Sequence, residues 1–248
     1  LTLYRPSEKK EYTHTLTRTI ILVNTVEYES LENYIGYFKI SSFSKLTEKQ
    51  LKRYLKQAKL EGVTAFILDL RGNPGGLLNQ SVKVASHFLF KGRMVVYTQG
   101  RSEDDYREYR SLYKDSLYKM PVVVIINQYS ASASEIVAGA LRDSGNALLI
   151  GENSYGKGSV QTIFRVSDGS GVRLTTSKYY TPAGADITRN GISPEIEIIN
   201  DLIKKEAFTV KRKSSSKGTH LSLNASSLKK FFKKQGFKIN KTHDATVE

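Results

Sequence analysis

Three loops rich in glycine and serine carry the residue types that could cleave an amide bond. In the first, the apolar run Pro121-Val-Val-Val-Ile-Ile-Asn127 passes through Gln128 and Tyr129 into Ser130-Ala-Ser-Ala-Ser-Glu-Ile136. A strand that gives way to tiny residues opening a helix sets them at the carboxyl end of a sheet, where open α/β folds build their sites. A helix N-terminus offers unpaired N–H donors and a partial positive charge. Ser132 in that position could attack a carbonyl while the next N–H, that of Ala133, steadies the oxyanion. Alanine on either side leaves room for a peptide backbone. The same residues would also make a plain helix cap, with Ser132 or Ser134 at the start and Glu135 in the first turn. On this segment alone the two readings weigh about equally.

The second loop is Gly151-Glu-Asn-Ser-Tyr-Gly-Lys-Gly158-Ser159, with Val160 and Gln161 beyond it. It approaches the phosphate-binding pattern G-x-x-x-x-G-K-[ST]. Gly158 stands where that pattern needs a hydroxyl, however, and Val160–Val166 reads as a strand where a helix should follow. A nucleotide site is therefore disfavoured. Lys157 could be a surface lysine in a turn. Between small residues it could instead be buried and lose its proton, and neutral lysine is a competent base. The third loop is Asp69-Leu-Arg-Gly-Asn-Pro-Gly-Gly76. Paired glycines can turn backbone N–H groups into a cavity and supply an oxyanion donor. They can equally make a tight strand-to-helix turn.

Other chemistries have less support. A Ser-His-Asp arrangement would draw on His14, His87, His220 or His243. His87 lies in an apolar helical stretch, which suits a hydrogen-bonded core histidine. No His-Glu-x-x-His or comparable metal spacing occurs. Glu135 could tune a site at Ser132 or simply favour the helix dipole.

Taken in order, the three loops resemble the carboxyl-terminal processing peptidases, also called tail-specific proteases. A fourth stretch adds to the resemblance, Tyr179-Tyr-Thr-Pro-x-Gly184 leading to Gly191-Ile-Ser-Pro-Glu195, and together they cover roughly residues 1–200. The resemblance implies an α/β core of the crotonase or ClpP type with a β-rich flank. It implies Ser132 as nucleophile, Lys157 as general base and Gln161 as the residue orienting that lysine. For the oxyanion hole it implies the amide of Ala133 and that of Gly75 or Gly76, with Gly76 preferred. No metal or cofactor is implied. Substrates would be exported proteins with exposed C-termini, cut through an acyl-enzyme in the bacterial periplasm or cell envelope. An adaptor or activator protein and a homo-oligomer are compatible with it. The family carries a PDZ domain ahead of its protease core, and residues 1–28 resemble only the closing part of one. The competing reading is a resting or non-catalytic envelope protein that binds peptide C-termini in the same groove.

The elements that must position these loops follow from periodicity. Residues 1–28 hold two or three strands, with Leu1–Arg5 alternating and Glu11–Val23 rich in Thr, Ile and Val. The chain opens there without an initiator Met, as a fragment or a processed product would. Strands are expected at Ile35–Ser41, Thr64–Leu70, Met94–Thr98, Pro121–Ile126 and Ala147–Gly151. Helices are expected at Thr47–Glu61, Asn79–Phe90 and Ser134–Ser144. This alternation argues for a parallel sheet. Short β segments with Gly and Pro turns fill 160–198. The expected divisions are 1–28, a protease core over 29–200, and a tail over 201–248 with a linker at Ser214–Ser216 and one helix capped by Ser226 or Ser227.

Composition bounds the rest. The chain has 248 residues, 39% of them apolar, enough for one large core. It has no cysteine, which excludes disulfides and thiolate metal sites. No apolar run reaches the roughly 18 residues that span a bilayer. The net charge is +14, and the tail from 201 onward holds twelve Lys or Arg against four Asp or Glu. Such a tail could meet nucleic acid or anionic lipid. Without a nucleic-acid-binding motif a solvated basic face is the better reading, and nucleic acid is not expected as a partner.

Overall fold

The computed structural model describes residues 1–17, 23–198 and 210–212. Two strands, β1 (Thr2–Arg5) and β2 (Lys10–Thr13), form an exposed antiparallel hairpin. The core is a seven-stranded sheet. Its strands are β3 (Val26–Leu31), β4 (Ile35–Ile40), β5 (Ala65–Asp69), β8 (Val122–Ile126), β9 (Ala147–Gly151), β12 (Ile196–Ile198) and β13 (Val210–Arg212). They lie in the order β13-β12-β9-β8-β5-β4-β3. From β4 through β12 neighbours run parallel, and β3 and β13 close the two edges antiparallel. β3 crosses residue 28, where the sequence suggested a division, and pairs with β4 along its whole length.

The central strands read Ala-Phe-Ile-Leu-Asp and Val-Val-Val-Ile-Ile, and every residue of both is buried. Continuous apolar runs suit a parallel sheet covered on both faces. On one face pack α1 (Thr47–Leu60), α2 (Leu78–Ser86) and α3 (Ala133–Asp143). α1 buries Leu51, Leu55 and Ala58, one stripe at helical spacing. α3 is buried from Ala133 through Leu141. It is buried nearly all round because it packs against both α2 and the sheet. Phe38, Leu68, Val124 and Leu149 join these helices in the larger core, while Tyr37, Ile67, Val123 and Ile125 gather on the opposite face.

A second, four-stranded antiparallel sheet flanks the core. It contains β6 (Met94–Gly100), β7 (Arg107–Arg110), β10 (Ser159–Arg165) and β11 (Gly171–Tyr180), in the order β10-β11-β6-β7. Tyr97 and Tyr180, opposite each other on β6 and β11, stack with centroids 5.1 Å apart. Two details differ from expectation. The helix expected to run to Phe90 ends at Ser86, because His87 and Phe88 donate to carbonyls three residues back and tighten the last turn. β7 was not anticipated, since Arg-Glu-Tyr-Arg carries no apolar alternation. The expected tail helix and the Ser214–Ser216 linker lie outside the described residues.

His87 closes α2 with its ring against Tyr113 and its Nε2 3.1 Å from Glu48. Burial pushes its imidazole below the ordinary histidine range, although Glu48 pulls the other way. As pH falls through about 6.5 the unfolded chain therefore takes the proton before the folded one does. The stability contributed by neutral His87 is present above that pH and lost below it. Urea denaturation between about pH 7.5 and 5.5 should show a smaller loss of stability in His87→Gln than in the unsubstituted protein. Equal losses would show that His87 does not carry this linkage.

Candidate active site

The three loops meet at the carboxyl ends of β5, β8 and β9, which parallel pairing sets side by side. After β5, the buried carboxylate of Asp69 accepts from the Tyr37 hydroxyl at 2.8 Å and grips the Arg71 guanidinium, with Nη2 at 2.6 Å. Burial, with the Asp69 charge beside it, pushes the Tyr37 phenol well above its usual range. This pair fixes where the loop leaves the sheet. Asn73, fully buried, then organises the turn. Its Nδ2 donates to the Ile40 carbonyl at 2.8 Å, and its Oδ1 accepts the Gly75 N–H at 2.9 Å. Its own carbonyl accepts both the Ala131 N–H and the Ser134 hydroxyl at 3.0 Å. The first and third loops are thus one hydrogen-bonded unit.

Ser132 caps α3 with φ 56° and ψ −111°, in the left-handed half of backbone space that a side chain disfavours. Such backbone costs of order 1–3 kcal/mol and persists only when its surroundings fix it. Here the neighbours are Gly75 and Glu135. A Cβ on Gly75, itself at φ 99°, would stand 2.8 Å from the Ser132 Cβ and 2.9 Å from the Ala133 nitrogen. Only glycine lets the turn approach the serine so closely. Gly76, at φ 146°, lies against Phe43, whose N–H donates to the Gly75 carbonyl and whose carbonyl accepts from Leu77. Among the described residues the N–H groups of Ala133 and Gly76 have no hydrogen-bond partner, whereas that of Gly75 is taken by Asn73.

Glu135 joins this unit to the lysine loop. Its side chain is fully buried, and its carboxylate accepts four hydrogen bonds. Oε1 takes the Ser154 hydroxyl and the Gly156 N–H, each at 2.6 Å. Oε2 takes the Ser132 N–H at 2.7 Å and the Lys157 N–H at 2.9 Å. A buried carboxylate is tolerable when its lone pairs are filled in this way. Ser154 relays the contact by accepting the Ile192 N–H at 2.6 Å. The far side of the loop packs on residues 186–192. Arg189 donates to the Gly156 carbonyl at 2.9 Å, and a Cβ on Gly158 would stand 2.5 Å from the Thr188 nitrogen.

The structure thus brings Ser132, Ala133, Gly75, Gly76 and the Lys157 backbone together. It does not join the polar side-chain ends. The Lys157 side chain is exposed, not buried as its small neighbours suggested. Among the described residues no hydrogen bond links its ammonium to Ser132 or Gln161. Gln161 is exposed on β10, opposite Thr175. The phosphate-loop alternative fails on local structure, since residues 151–158 lead into a strand and not a helix. His14 is exposed, and His220 and His243 lie outside the described residues. No three His, Asp or Glu converge as for a metal among the described residues. Sequence reasoning left Glu135 open between tuning the site and serving as a first-turn acid, and it passed over Asn73 and Ser154. The Ser-x-x-Glu spacing of a capping box was the available signal for Glu135; nothing local marks the other two.

The chain has the α/β fold of a peptidase domain. Its backbone matches that of a photosystem II D1 C-terminal processing protease with a TM-score of 0.65 and 32% identity, over 77% of this chain and 53% of that one. It belongs to peptidase family S41, whose sequence model matches residues 34–198. A carboxy-terminal-processing protease of Bartonella bacilliformis is 42% identical over 209 residues, covering 83% of this chain and 48% of that protein. The carboxy-terminal processing protease CtpA of Bacillus subtilis is 36% identical over 227 residues, covering 90% and 47%. The chain therefore spans about half the length of these relatives.

Two substitutions test the geometry. In Glu135→Gln the amide must turn its nitrogen toward two of the four donors, whichever way it lies. With each stranded donor worth about 1–3 kcal/mol, urea denaturation should show a loss of about 3 kcal/mol. A loss below about 1 kcal/mol would mean the carboxylate is not clamped as described. Ser132→Gly relieves the positive φ, while Ser132→Ala retains it. The glycine variant should be the more stable of the two by about 1 kcal/mol in the same measurement. The opposite order would refute a strained Ser132.

Proposed function

We propose that this chain contains the protease core of a serine endopeptidase that cleaves exported proteins near their C-termini. Ser132 is the nucleophile and neutral Lys157 its general base, with Gln161 orienting the lysine. Ser132 attacks the scissile carbonyl, and the N–H groups of Ala133 and Gly76 hold the oxyanion while Gly75 shapes the turn. Lys157, now an ammonium, protonates the leaving amine, and water hydrolyses the acyl-enzyme. The observation that carries this reading is the shared carboxylate of Glu135, which holds the backbone N–H groups of Ser132 and Lys157 on one oxygen. A swing of the lysine stem could then complete the pair without moving either loop. The names of the relatives support C-terminal processing as the activity. Peptides with free C-termini are the proposed substrates, the periplasm or cell envelope the proposed setting, and an incomplete PDZ unit the proposed origin of the N-terminal hairpin.

A second reading rests on the exposed Lys157 side chain. A protein whose base stands away from its nucleophile could rest until activated, or bind peptide tails without cutting them. Incubation with denatured casein separates the two. Ser132→Ala and Lys157→Ala should each lower cleavage at least about a hundredfold, with far-UV circular dichroism unchanged. Undiminished cleavage by Ser132→Ala would overturn the assignment. Tail binding without turnover in the unsubstituted protein would favour the second reading.

A further inference from the structure

Among the described residues the flanking sheet ends in an open edge beside the site. β10 has β11 on one side and no described strand on the other. An edge strand presents every second N–H and C=O outward, a template for pairing with another chain. Native edges are commonly blunted by proline, charge or a cover. Ser-Val-Gln-Thr-Ile-Phe-Arg contains no proline, and its one charge, Arg165, stands at its far end. Its residues from Gln161 onward are exposed, with Ile163 at 67% and Phe164 at 47% of full accessibility. Val172 and Leu174, opposite Phe164 and Thr162 on β11, extend the apolar surface on one face.

The place of this edge decides what it is for. β10 begins two residues after Lys157, whose N–H shares Glu135 Oε2 with the Ser132 N–H. A chain laid along β10 would thus enter or leave at the nucleophile. At about 3.3 Å per residue the strand offers roughly 20 Å of pairing length. A second copy of this chain is a poorer occupant, since each copy carries a net charge of +14.

We propose that the outer edge of β10 is the docking strand for an extended polypeptide substrate, which adds to the sheet by backbone pairing as its scissile bond reaches Ser132. Backbone bonds would supply affinity with little demand on sequence. Ile163 on one face, and Phe164 with Val172 and Leu174 on the other, would favour apolar side chains in the docked segment. The proposal rests on the peptidase reading for its occupant.

Hydrogen exchange on the Ser132→Ala protein, with and without denatured casein, tests it. The expected result is that amides of β10 slow at least about tenfold with casein, while those of β7, the opposite edge of the same sheet, do not. Casein that fails to bind, or binds and leaves β10 unprotected, overturns the proposal. So does protection of β10 that rises with protein concentration alone, which would mean self-pairing. The peptidase reading is scored separately, by casein cleavage and fluorophosphonate labelling of Ser132 in the unsubstituted protein. Labelling and cleavage without β10 protection would sink the docking strand and leave the peptidase; protection without either would do the reverse.

Discussion

One buried carboxylate holds the site together. Among the described residues Glu135 has no cationic side chain on its oxygens, only three backbone N–H groups and a hydroxyl, drawn from two loops. A charge in that position is affordable because each oxygen is doubly satisfied and because it sits in the first turn of α3, near the positive end of the helix dipole. The arrangement works in both directions. The loops make burial of the charge tolerable, and the charge fixes the distance between the loops. Asn73 does a similar job on the other side with a neutral amide, so the serine is braced from both flanks.

The braces act on backbone that would not hold its shape alone. The positive φ of Ser132, the glycine pair beside it and the close approach of 186–192 to the lysine loop are each conformations that water would relax. They rest on a sheet whose two central strands are completely buried. Rigid strands and α3 supply the platform, and the irregular loops at their ends carry the candidate site residues.

Much of this was legible in the sequence because the loops are built from residues with few alternatives. Gly-Gly, Ala-Ser-Ala and Gly-Lys-Gly permit close backbone approaches that other residues forbid, so their spacing carries information. The strands of the parallel sheet were equally legible, since β5 and β8 are unbroken apolar runs. What was not legible depends on contacts distant in sequence. β7 has no apolar pattern and exists because β6 offers it an edge. Ser154 and Asn73 look like loop residues until Ile192 and Ile40 are brought beside them. The exposure of Lys157 is also a tertiary outcome. Small neighbours allow a buried lysine but do not compel one.

Among the described residues Lys157 is anchored by its backbone alone, which leaves a long, exposed stem. Ordering a lysine side chain costs up to about 2 kcal/mol of rotamer entropy, roughly a thirtyfold change in population. That is small beside the energy of folding but large enough to act as a threshold. If Lys157 is the base, whatever packs against the stem would set how often the amine meets Ser132, without a strand shifting or a loop refolding. The lysine loop would then resemble a fixed socket with a movable contact, whose duty cycle is set from outside the core.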